Sequence, residues 1–314
     1  MRDLIGKYNR NRKFIWFAIG ICVAVYAIIH IINAFLKQDL YEENNIITSN
    51  TNNNFYNTSY SVISDDQIEE EHKESIANTI KEFINSCNEN QVEKAYNMLS
   101  EECKEVLYPS IETFEKEYIK EVFASRRTYK IQSWITNKNK YIYRVELIED
   151  MLSSGNSTNA KKIDYYTVVR NDDKYYLNIE GFIEKNDINK YNENEIAKIS
   201  VLSEEVFMNY VYLNIEVENK TIETLLIDEG DKGDSVYLKD TNDIGYASFL
   251  FEEQEDNLTV RRKNKKEFRI RFEKEYSTNI KIKEIGFTDM VINYKKANRE
   301  ANQKLVINIS NDKK

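Results

Sequence analysis

With 314 residues, 41% hydrophobic and 31% charged, the chain has enough apolar material for two ordinary domains and does not read as a disordered polymer. Its formal net charge of −9, from 44 Lys and Arg against 53 Asp and Glu, argues against a general nucleic-acid binder, whose phosphate contacts need a concentrated basic face. The bias toward Asn, Ile, Lys, Glu and Tyr, with 8 Gly, 1 Pro and 22 Tyr, is that of a very AT-rich coding sequence, so the tyrosines are not read by default as a binding surface.

Residues 1–13, MRDLIGKYNRNRK, set Arg2, Lys7, Arg10, Arg12 and Lys13 against one acid, Asp3. After them Phe14 to Leu36, FIWFAIGICVAVYAIIHIINAFL, is an apolar run long enough to cross a bilayer, which takes about 20 residues at about 1.5 Å each. Basic residues before a span favour keeping that flank in the cytoplasm, so the expectation is a short cytoplasmic tail, a single transmembrane helix and everything later outside, with the lipid bilayer as the first partner. A cleaved signal peptide would have a shorter apolar core and a small-x-small site, of which Ile32-Asn33-Ala34 is a poor version. His30 has no acidic partner in the span and reads as interfacial rather than as a proton relay. Residues 37–64 are polar and Asn-rich without periodicity, a stalk too poor in apolar residues to fold. The glycosylation sequon at Asn57 is a match that such a composition produces by chance.

From Ser64 the pattern is helical. Ser64 to Gln67 makes a capping box with Ile63 and Ile68 as its hydrophobic staple. Ile68, His72, Ile76, Ile80, Phe83, Ile84 and Cys87 then recur at spacings of three and four, predicting a helix that ends near Asn90. A second apolar face runs from Val92 through Ala95, Tyr96 and Leu99 to Cys103, Val106 and Leu107, continuous around Ser100 and stopped by Pro109. A third, capped at Ser110, carries Ile111, Phe114, Tyr118, Val122 and Phe123. Residues 128–136, 140–149, 161–170 and 175–179 alternate apolar and polar residues and predict an antiparallel meander. Helices followed by a meander give an α+β architecture with the helices on one concave face of a curved sheet.

This order of elements, and the stretch NQVEKAYNMLSEECKEVLYPSIETFEKEYI in particular, resembles the NTF2-like (cystatin-like) fold of extracytoplasmic proteins of clostridial bacteria (Firmicutes). A span followed by such a domain is also similar to the bitopic scaffold components of conjugative secretion machines. The resemblance covers roughly residues 67 to 187 and implies a fold that hosts enzymes, transport factors and scaffolds alike. We assign residues 65–187 to this domain and 188–195, within the connector GFIEKNDINKYNENE, to a linker. Residues 196–314 read as strands only, from the alternation of Val211, Leu213, Ile215 and Val217 to Leu305–Ile309, and predict an all-β sandwich that resembles the immunoglobulin-like accessory domains of bacterial surfaces.

Chemistry is thin along the chain. Cys87 and Cys103 fall on apolar helix faces; a disulfide between them would stabilise by about 3 kcal/mol, and the alternative is two small buried hydrophobes. His72 is a candidate general base in an NTF2-like cavity, or a structural histidine between Ile68 and Ile76. Asp164 beside Tyr165 and Tyr166 resembles the acid and tyrosine pairing of isomerases of this fold, but adjacent strand residues point to opposite faces, so Asp164 and Tyr165 cannot both enter the cone without a bulge. Asp228 to Asp234 is an acidic Gly-containing loop and Asp240 to Gly245 begins like a calcium loop, but the latter has Ile244 and Phe251 where oxygen ligands belong, and turns in acidic proteins look like this without metal. The basic run Arg261 to Lys266 reads as a solvated hairpin loop offset by the acidic residues 252–256, with an anionic partner as the alternative. No residue is assigned to catalysis, a cofactor or a metal. The expectation is a non-enzymatic, membrane-anchored binding or scaffold protein of the bacterial envelope, with an envelope protein partner or self-association. A receptor or sensor for a small ligand or peptide, and an enzyme using the NTF2-like cavity, are the alternatives.

Overall fold

The computed structural model describes residues 47–48, 70–150, 161–228, 235–249, 255–293 and 300–310. The expected tail, the span at 14–36, the capping box at 64–67 and nearly all of the stalk lie outside them. Among the described residues no helix is long and apolar enough to cross a membrane.

The expected first helix is α1 (Glu70–Asn88). Its spacing buries Ile76, Ile80, Phe83, Ile84 and Cys87 on one side, and Asn90, in the left-handed region at φ 54°, turns the chain out of it. The second expected helix is two, α2 (Val92–Asn97) and α3 (Glu101–Leu107). Ser100 breaks it. Its backbone is extended, its Oγ accepts from Cys103 N at 3.0 Å, and its N–H donates to Leu177 O at 2.9 Å while Leu177 N–H donates to Met98 O at 2.9 Å. A serine is better used as an N-cap than inside a helix, and the break also satisfies a strand edge. Ser110 caps the next rod, as its spacing predicts, accepting from Thr113 N at 3.2 Å. This rod, α4, runs through Ile111–Phe114, a π-turn at Glu115–Ile119, and Lys120–Val122.

The helices cover a five-stranded antiparallel sheet in the order β1-β2-β3-β4-β5. Its strands are β1 (Ile47–Thr48), β2 (Arg127–Asn137), β3 (Lys140–Glu149), β4 (Lys161–Asn171) and β5 (Lys174–Asn178). Ile47 and Thr48, within the stretch read as a stalk, pair with Ile131 and Lys130 of β2. Two-residue pairing leaves no periodic signature in an Asn-rich segment.

The connector reading is corrected. Phe182–Glu193 is a strand, β6, which takes in most of the residues read as a linker at 188–195, and Ala197–Phe207 is a second strand, β7, that the sequence reading passed over. Both have register shifts, in β6 between Phe182 and Glu184 and between Asp187 and Lys190, and in β7 between Val201 and Ser203. A bulge moves every later side chain to the other face, so the alternation that identifies a strand is broken in mid-run. β6 and β7 join β8 (Val211–Asn219) and β13 (Lys265–Phe272) in a four-stranded sheet ordered β13-β8-β7-β6. A further sheet holds β9 (Leu225–Leu226), β10 (Val236–Asp240), β11 (Gly245–Ala247), β12 (Thr259–Val260), β14 (Ile282–Ile292) and β15 (Glu300–Asn308), ordered β11-β10-β14-β9-β12 with β15 on β14.

The architecture is therefore α+β with antiparallel sheets and few helices. Two cores run through it. One lies between the helices and the first sheet, and the other between the four-stranded sheet and the sheet of β14. Phe182 belongs to the first and Ile183 to the second, so β6 is the seam. The described residues form one compact unit. Asn192 Nδ2 donates to Val306 O at 2.8 Å, Asn194 Nδ2 to Lys304 O at 3.3 Å, and Lys190 Nζ to Ile309 O at 2.7 Å, so side chains around β6 cap the outer edge of β15.

Candidate functional site

Alternation along β4 puts Lys162, Asp164 and Tyr166 on the helix-facing side. β4 pairs with β3 along Lys161–Val169 but with β5 only from Thr167 to Asn171, because β5 ends at Asn178. Beyond that end the chain turns through Glu180 and Gly181, both left-handed at φ 55° and 73°. Gly181 N–H donates to Tyr165 O at 3.0 Å, and Met208 N–H, in the turn between β7 and β8, donates to Gly181 O at 2.8 Å. These contacts frame a cavity of about 330 Å³ lined by Lys162, Asp164, Tyr165, Glu180, Phe207 and Tyr210 among others.

The polar groups are ordered. Glu180 accepts from Tyr108 OH at 2.7 Å and from Lys162 Nζ at 3.3 Å. Asp164 is 6% exposed. One of its oxygens accepts from Tyr165 N–H at 2.7 Å, and the other makes no hydrogen bond of full geometry among the described residues, although the Glu180 N–H is close enough to favour its charge. Burial raises the Asp164 carboxyl to about 7; the Lys162 ammonium, the Tyr165 N–H and the Glu180 N–H pull against this, and the Glu180 charge adds to it. Burial first, then the Glu180 carboxylate, pushes the Tyr108 hydroxyl up as well. Deeper in, Tyr118 OH and Tyr166 OH share a 2.6 Å hydrogen bond, with both rings fully buried.

As strand alternation predicts, Asp164 and Tyr165 point to opposite faces: Asp164 shares its face with Tyr166, while Tyr165 packs beside Trp134 with ring centroids 5.8 Å apart. Glu180 and Tyr108 carry no periodic pattern in the sequence, and Tyr118 reads only as a residue of an apolar helix face. The signal for Glu180 was the Glu-Gly pair directly after a strand, where a left-handed turn places a side chain.

His72 is far from free. Arg170 Nη1 lies 2.8 Å from its Nε2 and Tyr175 OH 2.8 Å from its Nδ1. A guanidinium only donates, so Nε2 accepts and the ring proton sits on Nδ1, pointing to the tyrosine oxygen. With its accepting nitrogen committed to Arg170, His72 is a structural link between α1 and the β4–β5 hairpin. Cys87 and Cys103 are buried free thiols, which settles the disulfide alternative. Burial pushes Cys103 up to about 12 and Cys87 higher still, which makes them poor nucleophiles.

Asp240 is a turn anchor. One oxygen accepts from Asn242 N at 2.8 Å and Ile244 N at 3.0 Å, the other from Tyr246 OH at 2.9 Å. Burial would raise its carboxyl, but these bonds outweigh it and hold the group below its ordinary value. Asp228 accepts from Ser235 OH, and residues 229–234 lie outside the described ones. The hairpin reading of the basic run is corrected: β12 pairs with β9 and β13 with β8, so residues 261–264 cross between two sheets. Lys265 pairs with Glu216 at 2.8 Å and Lys266 donates to Asn257 O at 2.5 Å, while Arg261 and Arg262 are exposed. The acidic side chains at 252–256, expected to offset the run, lie outside the described ones.

Comparison with protein-family models, with curated proteins and with solved structures finds no match to this chain.

Proposed function

We propose that the chain is a single-pass, membrane-anchored binding or scaffold protein of the bacterial envelope. Residues 14–36 hold it in the bilayer, the basic residues 1–13 lie in the cytoplasm, and the folded layers stand outside. In this reading the helix-covered sheet is an NTF2-like layer, the two later sheets an immunoglobulin-like sandwich, and a conjugation or secretion apparatus the assembly served. The observation that carries it is the packing of the concave side of the first sheet. Phe83, Phe114, Tyr118 and Tyr166 fill that space with no exposure, and Phe83 meets Tyr166 edge-on at 5.8 Å and Tyr118 at 6.1 Å. A cone occupied by interlocked aromatic side chains leaves binding to the rim and the outer surfaces.

The test is photo-crosslinking of the full chain in native membranes from positions such as Ile222 and Tyr191, 73% and 60% exposed, beside a variant lacking residues 14–36. A defined adduct that requires the anchor is the expected result. Recovery of the intact chain as a monomer without adduct, or in the soluble fraction, would overturn the reading. The rival reading, a receptor for a small ligand, is favoured by the cavity at Asp164.

A further inference from the structure

We propose that the cavity at the rim of β4 binds a primary ammonium group, the chemistry shared by small alkylamines and by a lysine side chain or amino terminus of a partner peptide. The inference rests on the proposed function only in taking the chain to be a binding protein.

Asp164 carries the argument. A carboxyl 6% exposed, with one oxygen lacking a hydrogen bond of full geometry among the described residues, keeps its proton up to about pH 7 and, once ionised above that, is costly unless a cation comes to it; this one lines a cavity with room for a guest. Once Asp164 has lost its proton, above about pH 7, the charges lining the cavity are Asp164, Glu180 and Lys162, two acids against one base, a formal deficit of one cation. Lys162 does not close the deficit: its Nζ stands 3.3 Å from Glu180, and both side chains keep about two-fifths of their exposure, 40% and 38%. An anion would meet the two carboxylates. A divalent metal ion takes six or more oxygen ligands, or a tight set of His and Cys, and among the described residues no cluster of three such groups is present.

The walls suit an alkyl stem behind the charge. Phe207 and Tyr210 stack at 4.6 Å and 22°, and Arg271 lies 4.2 Å over the Tyr210 ring, so this wall is held rigid from both sides. Ile163, 52% exposed, adds an apolar side chain at the rim. From Lys161 to Asp164 the edge of β4 facing away from β3 has no strand partner among the described residues, leaving room for an extended segment alongside. Glu180 is held at φ 55°, a conformation a non-glycine residue adopts at a cost and one found disproportionately at binding sites.

The experiment is calorimetric titration of the full chain in detergent micelles with n-pentylammonium at about pH 8.5, where Asp164 has lost its proton and the amine keeps its own, with n-pentanol as the uncharged control. Saturable binding of the amine alone is expected, weakened about tenfold or more in Asp164→Asn and several-fold in Glu180→Gln. Ile163→Arg, at an exposed rim position, should also abolish binding, and it carries the test alone if Asp164→Asn fails to fold by circular dichroism. Competition by a peptide with an internal lysine and blocked ends points to a side chain, competition only by a peptide with a free amino terminus points to that group, and competition by neither points to a small amine. Absence of saturation at millimolar amine, equal binding of pentanol, or affinity unchanged in both Asp164→Asn and Ile163→Arg overturns the site. That failure would leave the anchored scaffold standing, because crosslinking from Ile222 and Tyr191 does not use β4.

Discussion

The core beneath the helices is aromatic and carries hydroxyl groups, while the core between the two later sheets is aliphatic. The first packs Phe83, Tyr108, Phe114, Tyr118, Tyr143 and Tyr166; the second is built on residues such as Ile199, Val201, Leu213, Ile215, Leu238 and Ile285. The difference decides where polar chemistry goes. Large rings leave polar tips that must find partners inside, as Tyr118 and Tyr166 do in each other, and they bring Asp164 and Glu180 to the margin of the core. Small branched residues interlock without polar atoms, so the second region places its polar groups at the margins, Asp240 and Asp228 at or just past strand ends and a further network on the outer face of the four-stranded sheet. There Arg269 donates to Glu205 at 2.6 Å and Asn214 to the other Glu205 oxygen at 2.6 Å. The pH response of the first core should be concentrated in one carboxyl, Asp164, and that of the second divided among Glu204, Lys274 and Asp240.

The largest effect expected is from Phe83→Ala, which removes a ring in contact with three others and should cost about 3–5 kcal/mol. Urea unfolding followed by tyrosine fluorescence and far-ultraviolet dichroism reads it. If the first core fails alone, the two probes separate; one coincident transition in this variant and in Ile215→Ala would show that the seam at β6 couples both regions.

The pH response follows. In the unfolded chain Asp164 titrates at its ordinary value of 3.8, in the fold at about 7. Between these the folded state keeps a proton that the unfolded state has lost, so this group's contribution to stability is complete below the lower value, declines as pH rises, and is gone above about 7. The total is on the order of 4 kcal/mol. Asp164→Asn should flatten that slope in denaturant midpoints measured from pH 4 to 8; an unchanged slope would remove the proposed asymmetry. Tyr118→Phe leaves the Tyr166 hydroxyl buried without its partner and should cost about 1–3 kcal/mol, measured the same way. Smallest is Lys94→Ala, which breaks an exposed 2.9 Å pair with Glu82 and should shift stability by no more than about 0.5 kcal/mol.

Periodicity was readable wherever one face of an element is buried along its whole length, as in α1, β3 and β8. It failed at Ser100, where tertiary hydrogen bonds to β5 divided a continuous apolar face, and in β6 and β7, where bulges exchange the faces. Glu205 shows the second failure. It reads as a surface acid in alternation, yet only 6% of it is exposed, on the outer face under Arg269. The cavity was half legible: Asp164 stood out as an acid beside tyrosines, but its neighbours Glu180 and Tyr210 come from turns far away in sequence. No local pattern links them to β4.

The capping of β15 by Asn192, Asn194 and Lys190 has a temporal consequence. These donors are made more than a hundred residues before the carbonyls they satisfy, with separations of 114, 110 and 119 positions. A chain emerging from its N-terminus must hold β6 open until residues 304–309 arrive. Completion of the second region is therefore a late, long-range closure, and a nascent chain stalled before β15 would carry an unsealed flank on β14 to any neighbour within reach.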